Sequence, residues 1–355
     1  MRTVFADKIA SVAQHNNLSR KLRVSEDIPC DEGVLLAVRV LNNKTRYNQL
    51  ELISGRMATV TTGDIIVGAL GHRKALHGYS GHMPTSLRAG DRVQILNIGG
   101  VLGICDSAAP AVGAPFDCEV LGSVLHFPYL GERIGVPARA GARPLDRDAP
   151  IDAQGVPVIA IAGTCMDAGK TAAACAIISR LRQRGYDVSA CKATGVALRR
   201  DILAMEDAGA SATMIFADLG VVTTTEKNGP ALTRTLLSAL AARQPGAIVI
   251  ELGDGLLGAY GVQAILADEA IRAALTGVAL CANDPVGAWG GTCLLRDRYG
   301  IDPVVVTGPA TDNAVGISQI QEQTGVRAIN ALIDATALGD RVAECLGAPP
   351  PGEDS

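Results

Sequence analysis

The sequence predicts an α/β protein: a domain with a mainly parallel sheet, preceded by a small β-rich, barrel-like domain. Three observations carry this. Over residues 30–127, short apolar runs alternate with turn residues. From residue 156 onward, apolar runs of strand length alternate with longer helical patterns. At the head of that second pattern, the apolar run "VIAIAG" stops on a glycine, and a Gly-Lys-Thr opens a helix-like stretch. Continuous apolar strands alternating with helices mark a parallel sheet covered on both faces.

Composition bounds the reading. The chain has 355 residues, more than one ordinary core accommodates, so two domains are expected. It is 48% hydrophobic and 19% charged, a globular composition. A net charge of −4 gives no bulk electrostatic case for nucleic acid or a membrane surface. Nine cysteines, an odd count with no CxxC pair, read as reduced thiols rather than a disulfide framework or zinc knuckle. The first residues carry no apolar signal core, and no apolar run approaches the roughly 20 residues that span a bilayer. The expectation is a soluble, cytoplasmic protein with no nucleic-acid or membrane partner.

The elements follow in order. Residues 1–130 are expected to form the β-rich domain, from runs such as "GVLLAVRVLNN", "RMATVTTGDIIVGALG" and "AGDRVQILNIGGVLGIC". Gly63-Asp64 and Gly90-Asp91 each precede a β-rich run, as turns between strands do. Residues 131–155, rich in Pro, Arg, Asp and Gly, read as a linker. Residues 156–345 are expected to form the parallel domain, with strands in "VPVIAIA", "DVSACKA", "GAIVIEL", "TGVALCA", "DPVVVTG" and "VRAINA". Residues 346–355 read as a disordered tail.

The motif with chemistry is Gly163-Thr164-Cys165-Met166-Asp167-Ala168-Gly169-Lys170-Thr171. Strand, glycine-rich turn, Lys-Thr and helix make a P-loop arrangement, as in P-loop NTPase domains. Backbone amides and the positive helix end hold phosphates. Lys170 would reach the β/γ-phosphates, and the Thr171 hydroxyl would ligate Mg²⁺. The cofactors expected are therefore ATP or GTP with Mg²⁺. The strict pattern asks for glycine at Thr164; here the glycine stands one position earlier.

From Gly163 to Gly195 the chain resembles the dethiobiotin synthetase branch of P-loop proteins. That branch reads G-T-D-x-x-x-G-K-T, a helix, then a second strand ending in a functional lysine, here Lys192. It also resembles a poorly characterised two-domain P-loop family, some members of which are linked to N-acyl transfer on amino acids. That family carries an "ATG" after the second strand and an I-E-G-Q-G-like motif, matched here by "KATG" at 192–195 and "IELGDGLLG" at 250–258. The resemblance covers about residues 156–335. It implies that Lys192 contacts substrate and the transferred phosphate, and that a homodimer completes the site. One position departs. The family aspartate that helps hold Mg²⁺ is Cys165 here, with Asp167 as the available carboxylate. A thiol at a helix N-terminus can be a nucleophile; a small loop residue is the alternative.

The remaining candidates follow from position. Lys192 ends the second strand at the sheet's carboxyl edge, where open α/β sheets bind ligands. Glu251 ends the apolar "AIVIE", well placed to hold Mg²⁺, with Asp254 of the following "GDG" as a second carboxylate. Residues 281–291, with Asn283, Asp284 and Trp289, are either pocket lining or a crossover loop. Residues 306–313 are a candidate base-binding loop by position. Arg199, Arg200 and Asp201 either meet an anionic substrate or begin a solvated helix. His72, His77 and His82 recur at five-residue spacing, which suits neither a helix face nor a strand face. They read as a polar loop rather than a zinc site, and Cys105-Asp106 and Cys118 as packing or loop residues.

The resulting expectation is an enzyme that activates a small-molecule carboxylate or similar group by phosphoryl transfer, like a ligase or synthetase. Lys170, Lys192 and Glu251 would be its catalytic residues; Thr171, Glu251, Asp167 and Asp254 would hold its metal. Two other classes stay open. One is an NTPase switch or metallochaperone. The other is an acyltransferase that reuses the phosphate loop.

Overall fold

A computed structural model describes residues 1–129, 134–142, 145–146, 148 and 150–347. Part of the expected linker and nearly all of the expected tail lie outside the described residues. Contacts divide the chain into two units. The first is Met1–Leu145 with Val196–Arg200 and Phe216–Thr223; the second is Asp146–Gly195 with Asp201–Ile215 and Thr224–Ser355.

In the first unit five strands pair in a closed ring. Leu35–Val40 pairs with Ile65–Leu70, which pairs in turn with Val101–Ala108. Arg92–Ile95 joins that strand to Phe116–His126, which returns to Leu35–Val40. The β-rich domain is therefore a small barrel, and closure leaves its five strands no free edge. Val38, Val40, Ile66, Leu102, Val120 and Val124 are all fully buried. The two Gly-Asp turns are built alike. Gly63 and Gly90 have φ of 93° and 95°. Asp64 and Asp91 each accept the amide three residues back, from Thr61 and Arg88, at 2.7 Å. Glycine supplies the positive φ that this turn needs, and the aspartate closes it.

Val136–Pro137 pairs with Phe116–His126, and the Leu35 amide donates to the Ala138 carbonyl at 2.9 Å. The later segments are bonded as firmly. Ala197 donates its amide to Val222 at 2.9 Å, and Asn97 donates to the Ala197 carbonyl at 3.0 Å. The amides of Val222 and Thr223 donate to Glu32 at 3.1 and 2.8 Å.

The histidine segment forms a hairpin of Arg73–Lys74 with Tyr79–His82. His72 stands at its entry and accepts the Met83 amide, His77 is exposed, and His82 lies 2.8 Å from Asp106. Among the described residues, no group of three or more His, Cys, Asp or Glu converges as a metal site.

The second unit is a parallel sheet. Its strands are β1 (Val158–Gly163), β2 (Val188–Lys192), β3 (Ala212–Ile215), β4 (Ala247–Glu251), β5 (Leu275–Cys281) and β6 (Val305–Thr307). They lie in the order β3-β2-β4-β1-β5-β6, every pair parallel. The helices that connect or follow them include α1 (Lys170–Gln183), α2 (Arg200–Asp207), α3 (Gly229–Ala241), α4 (Val262–Ala267), α5 (Glu269–Ala274), α6 (Pro285–Tyr299), α7 (Ala314–Thr324) and α8 (Ala335–Ala343). All residues of β1, β2 and β4 are buried, as expected of strands covered on both faces.

Five expected strands form. "VRAINA" does not: Ala328 makes only an isolated bridge to Val306. β3 was not expected. It is an edge strand, "ATMI", of which only Ile215 is buried, so it lacks the apolar run that marks the others. Among the described residues no helix is long and apolar enough to cross a membrane.

Candidate phosphate-binding site

β1 sits between β4 and β5, so its carboxyl end opens where the chain has crossed to either side. The Thr164 amide donates to the Cys281 carbonyl at 2.9 Å. Pairing with β5 thus runs one residue past the strand, and position 164 tolerates a side chain where the strict motif has glycine. The glycine is needed at 163 instead. A Cβ there would lie 2.9 Å from Cδ of Lys170, whose side chain runs across it. Asp167 and Gly169, with φ of 58° and 86°, turn the chain into α1. Gly169 caps that helix with no side-chain acceptor, which leaves its first amides to a ligand.

Lys170 is buried. Its Nζ donates to the carbonyls of Cys165 at 2.7 Å and Asp254 at 2.5 Å. Beside it, Thr171 Oγ1 donates to Glu251 Oε2 at 3.0 Å. Glu251 and Lys192 are register partners at the ends of adjacent strands, which sets their side chains at one level. Lys192 Nζ lies 3.4 Å from Glu251 Oε1 and bonds to Asp201 Oδ2 in the first turn of α2. Burial pulls the Lys192 ammonium toward neutrality, but the charges of Asp201 and Glu251 outweigh it, and its pKa stands above the ordinary lysine value.

Asp254, in the loop after β4, is 7% exposed and has φ 70°. Neither carboxylate oxygen accepts a hydrogen bond of normal geometry. Burial raises its pKa, opposed by the Lys170 charge and the nearby amides of Ala259 and Gly255. A buried carboxyl without partners costs about 1 to 3 kcal/mol. Asn tolerates a left-handed φ, so Asp254→Asn is expected to raise Tm at pH 7.5. The sign follows from linkage. The fold favours the protonated form, so the penalty is absent below the unfolded pKa of about 3.9 and grows as pH rises through the folded value. Thermal melts at pH 4 and pH 7.5 check this: the gain should appear only at the higher pH.

Oxygen donors suit a hard divalent cation: the Thr171 hydroxyl and the Glu251 carboxylate stand together, and the unpartnered carboxylate of Asp254 lies in the loop that follows Glu251, a donor set that fits Mg²⁺. Asp167 is exposed at the loop tip and has no described bond to that group. Met166 is half-buried and Ala168 buried. Cys165 is half-buried, and its Sγ accepts from Asn283 Nδ2 at 3.1 Å. Asp284 caps α6 and Asn313 caps α7, which gives both loops a helix-starting role. Trp289 is half exposed on α6. The amides of Arg199 and Arg200 donate to buried Glu51 within the first unit. Asp201, read from sequence as a substrate contact or solvated helix start, is buried against Lys192 instead. Its place at a helix start, nine residues after a strand-end lysine, was the only signal.

No family model and no curated protein matches the chain. Among solved structures it is similar to the signal recognition particle receptor FtsY from Elizabethkingia anophelis, at 12% identity and a TM-score of 0.39, over 55% of this chain and 68% of that one. It is similar to a DUF1611 family protein from Anabaena variabilis, at 14% identity and a TM-score of 0.36, over 57% of this chain and 63% of that one. It is also similar to the signal recognition particle 54 kDa protein from Aeropyrum pernix in complex with GDP, at 22% identity and a TM-score of 0.36, over 57% and 48%. The chain thus spans less than two thirds of the latter two.

Proposed function

We propose that the second unit binds a nucleoside triphosphate with Mg²⁺ on the loop 163–171 and activates a small-molecule carboxylate or similar group by phosphoryl transfer. The observation that carries this is Lys170, buried at an uncapped helix start, next to the Thr171–Glu251 pair. Thr171, Glu251 and Asp254 would hold the metal, which supplies charge neutralisation at the phosphates. Lys192 would steady the transferred group from the end of β2.

A second reading, an NTPase switch, has one observation behind it. The loop after β4 lies against the phosphate loop: a Cβ at Gly255 would meet the Thr164 carbonyl at 2.6 Å, and Lys170 holds the Asp254 carbonyl. A loop so placed would sense what Lys170 binds.

Isothermal titration with ATP, GTP and acetyl-CoA, with and without Mg²⁺, tests the proposal. Mg²⁺-dependent binding of one triphosphate is the expected result and names the base. Turnover stimulated by small carboxylates then favours the ligase reading, and unstimulated hydrolysis the switch. Binding of acetyl-CoA alone would overturn both and leave group transfer.

A further inference from the structure

Three buried side chains share a charge imbalance. Lys192, Asp201 and Glu251 are 9%, 8% and 2% exposed, two carboxylates around one ammonium. Both oxygens of Glu251 already have company: Oε2 accepts from Thr171, and Oε1 faces Lys192 at 3.4 Å. A metal held by Glu251 and Thr171 therefore competes with the ammonium of Lys192. A buried ammonium cannot simply be abandoned, because an unpaired buried charge is strongly disfavoured. Asp201 already bonds that ammonium from the opposite carboxylate.

We infer that Asp201 is a positioning residue, which keeps Lys192 when Glu251 turns to the metal. The inference rests on the Mg²⁺–triphosphate reading above. With Asp201 present, Lys192 leaves Glu251 at little cost, since its other bond is made. With Asp201 neutral, Lys192 has Glu251 as its sole carboxylate in the trio and stays on it, at the metal's expense.

The measurement is the ratio of triphosphate Kd without and with Mg²⁺, read by calorimetry on the full chain. Asp201→Asn should cut that ratio about tenfold, the coupling expected of contacting charges, and Asp201→Glu should restore it. Lys192→Met should raise the ratio even if it weakens both arms, because the competitor is gone. In the Lys192→Met background, Asp201→Asn should no longer change it. A purely structural ion pair would alter Tm without this pattern. An unchanged ratio in Asp201→Asn, or the same loss with Lys192 absent, overturns the inference while the triphosphate reading stands. If Asp201→Asn fails to fold, Lys192→Met decides: a ratio equal to or below wild type overturns the inference. A wild-type protein with no Mg²⁺-dependent binding removes the reading and the inference together.

Discussion

Lys170→Ala is expected to weaken triphosphate binding by on the order of a hundredfold or more, with the fold intact. Charge-assisted bonds to phosphate are worth about twice neutral ones, and two of them at about 1.5 to 3 kcal/mol each reach that factor. The ammonium is held on two carbonyls, those of Cys165 and Asp254, rather than on a carboxylate. No carboxylate has to be stripped away for it to turn to a phosphate. Alanine also opens space beside Gly163, where the lysine stem now lies. Calorimetry with the preferred triphosphate, beside a thermal melt, separates binding from folding. Retained affinity would show that the loop amides alone hold the ligand, and would remove Lys170 from the site.

Gly308→Ala should be among the most damaging single-methyl changes in the second unit, costing about 3 kcal/mol or more. Gly308 has φ 93° and ψ −170°, a region open to glycine almost alone. An added Cβ would also meet the Ala168 carbonyl at 2.4 Å and the Ala282 carbonyl at 2.9 Å. Both contacts are backbone, so neither yields cheaply, and Ala168 belongs to the phosphate loop. A loss of about 10 °C in Tm is the expected scale for a unit of this size. Gly185→Ala is the matched control. Gly185 has φ 87° but nothing within 4 Å of the added methyl. It should cost only the left-handed term, about 1 kcal/mol. Equal losses in the two variants would mean that the contacts at Gly308 relax.

Much of the parallel domain was legible because its signals are local. The apolar runs of β1, β2 and β4 are buried throughout, and α1 spans Lys170–Gln183, where the helical pattern began. The barrel was legible as a class through its paired Gly-Asp turns. Its closure was not, because Arg92–Ile95 bridges two strands that no local pattern connects. The edge strand β3 was invisible for want of apolar residues. At the site, Lys192 and Glu251 were legible as strand ends. The partner Asp201 was not, since a charged residue at a helix start usually faces water. For Asp167 the sequence shows a carboxylate in the loop but not its backbone, which has a φ of 58°, nor its exposure, since both depend on how the loop turns into α1.

The membership of the first unit has a consequence for how this chain is made. Val196–Arg200 and Phe216–Thr223 are part of the barrel unit, yet they follow β2 and β3 in the chain. Domains usually mature from the N-terminus as they emerge from the ribosome. Here the leading unit must wait. The amide donors to Glu32, Val222 and Thr223, are synthesised 190 and 191 residues after it. Until they arrive, the barrel's strands can pair but that carboxylate stays without its amides. The first unit's own hydrogen bonding is therefore complete only once the chain has been translated through Thr223.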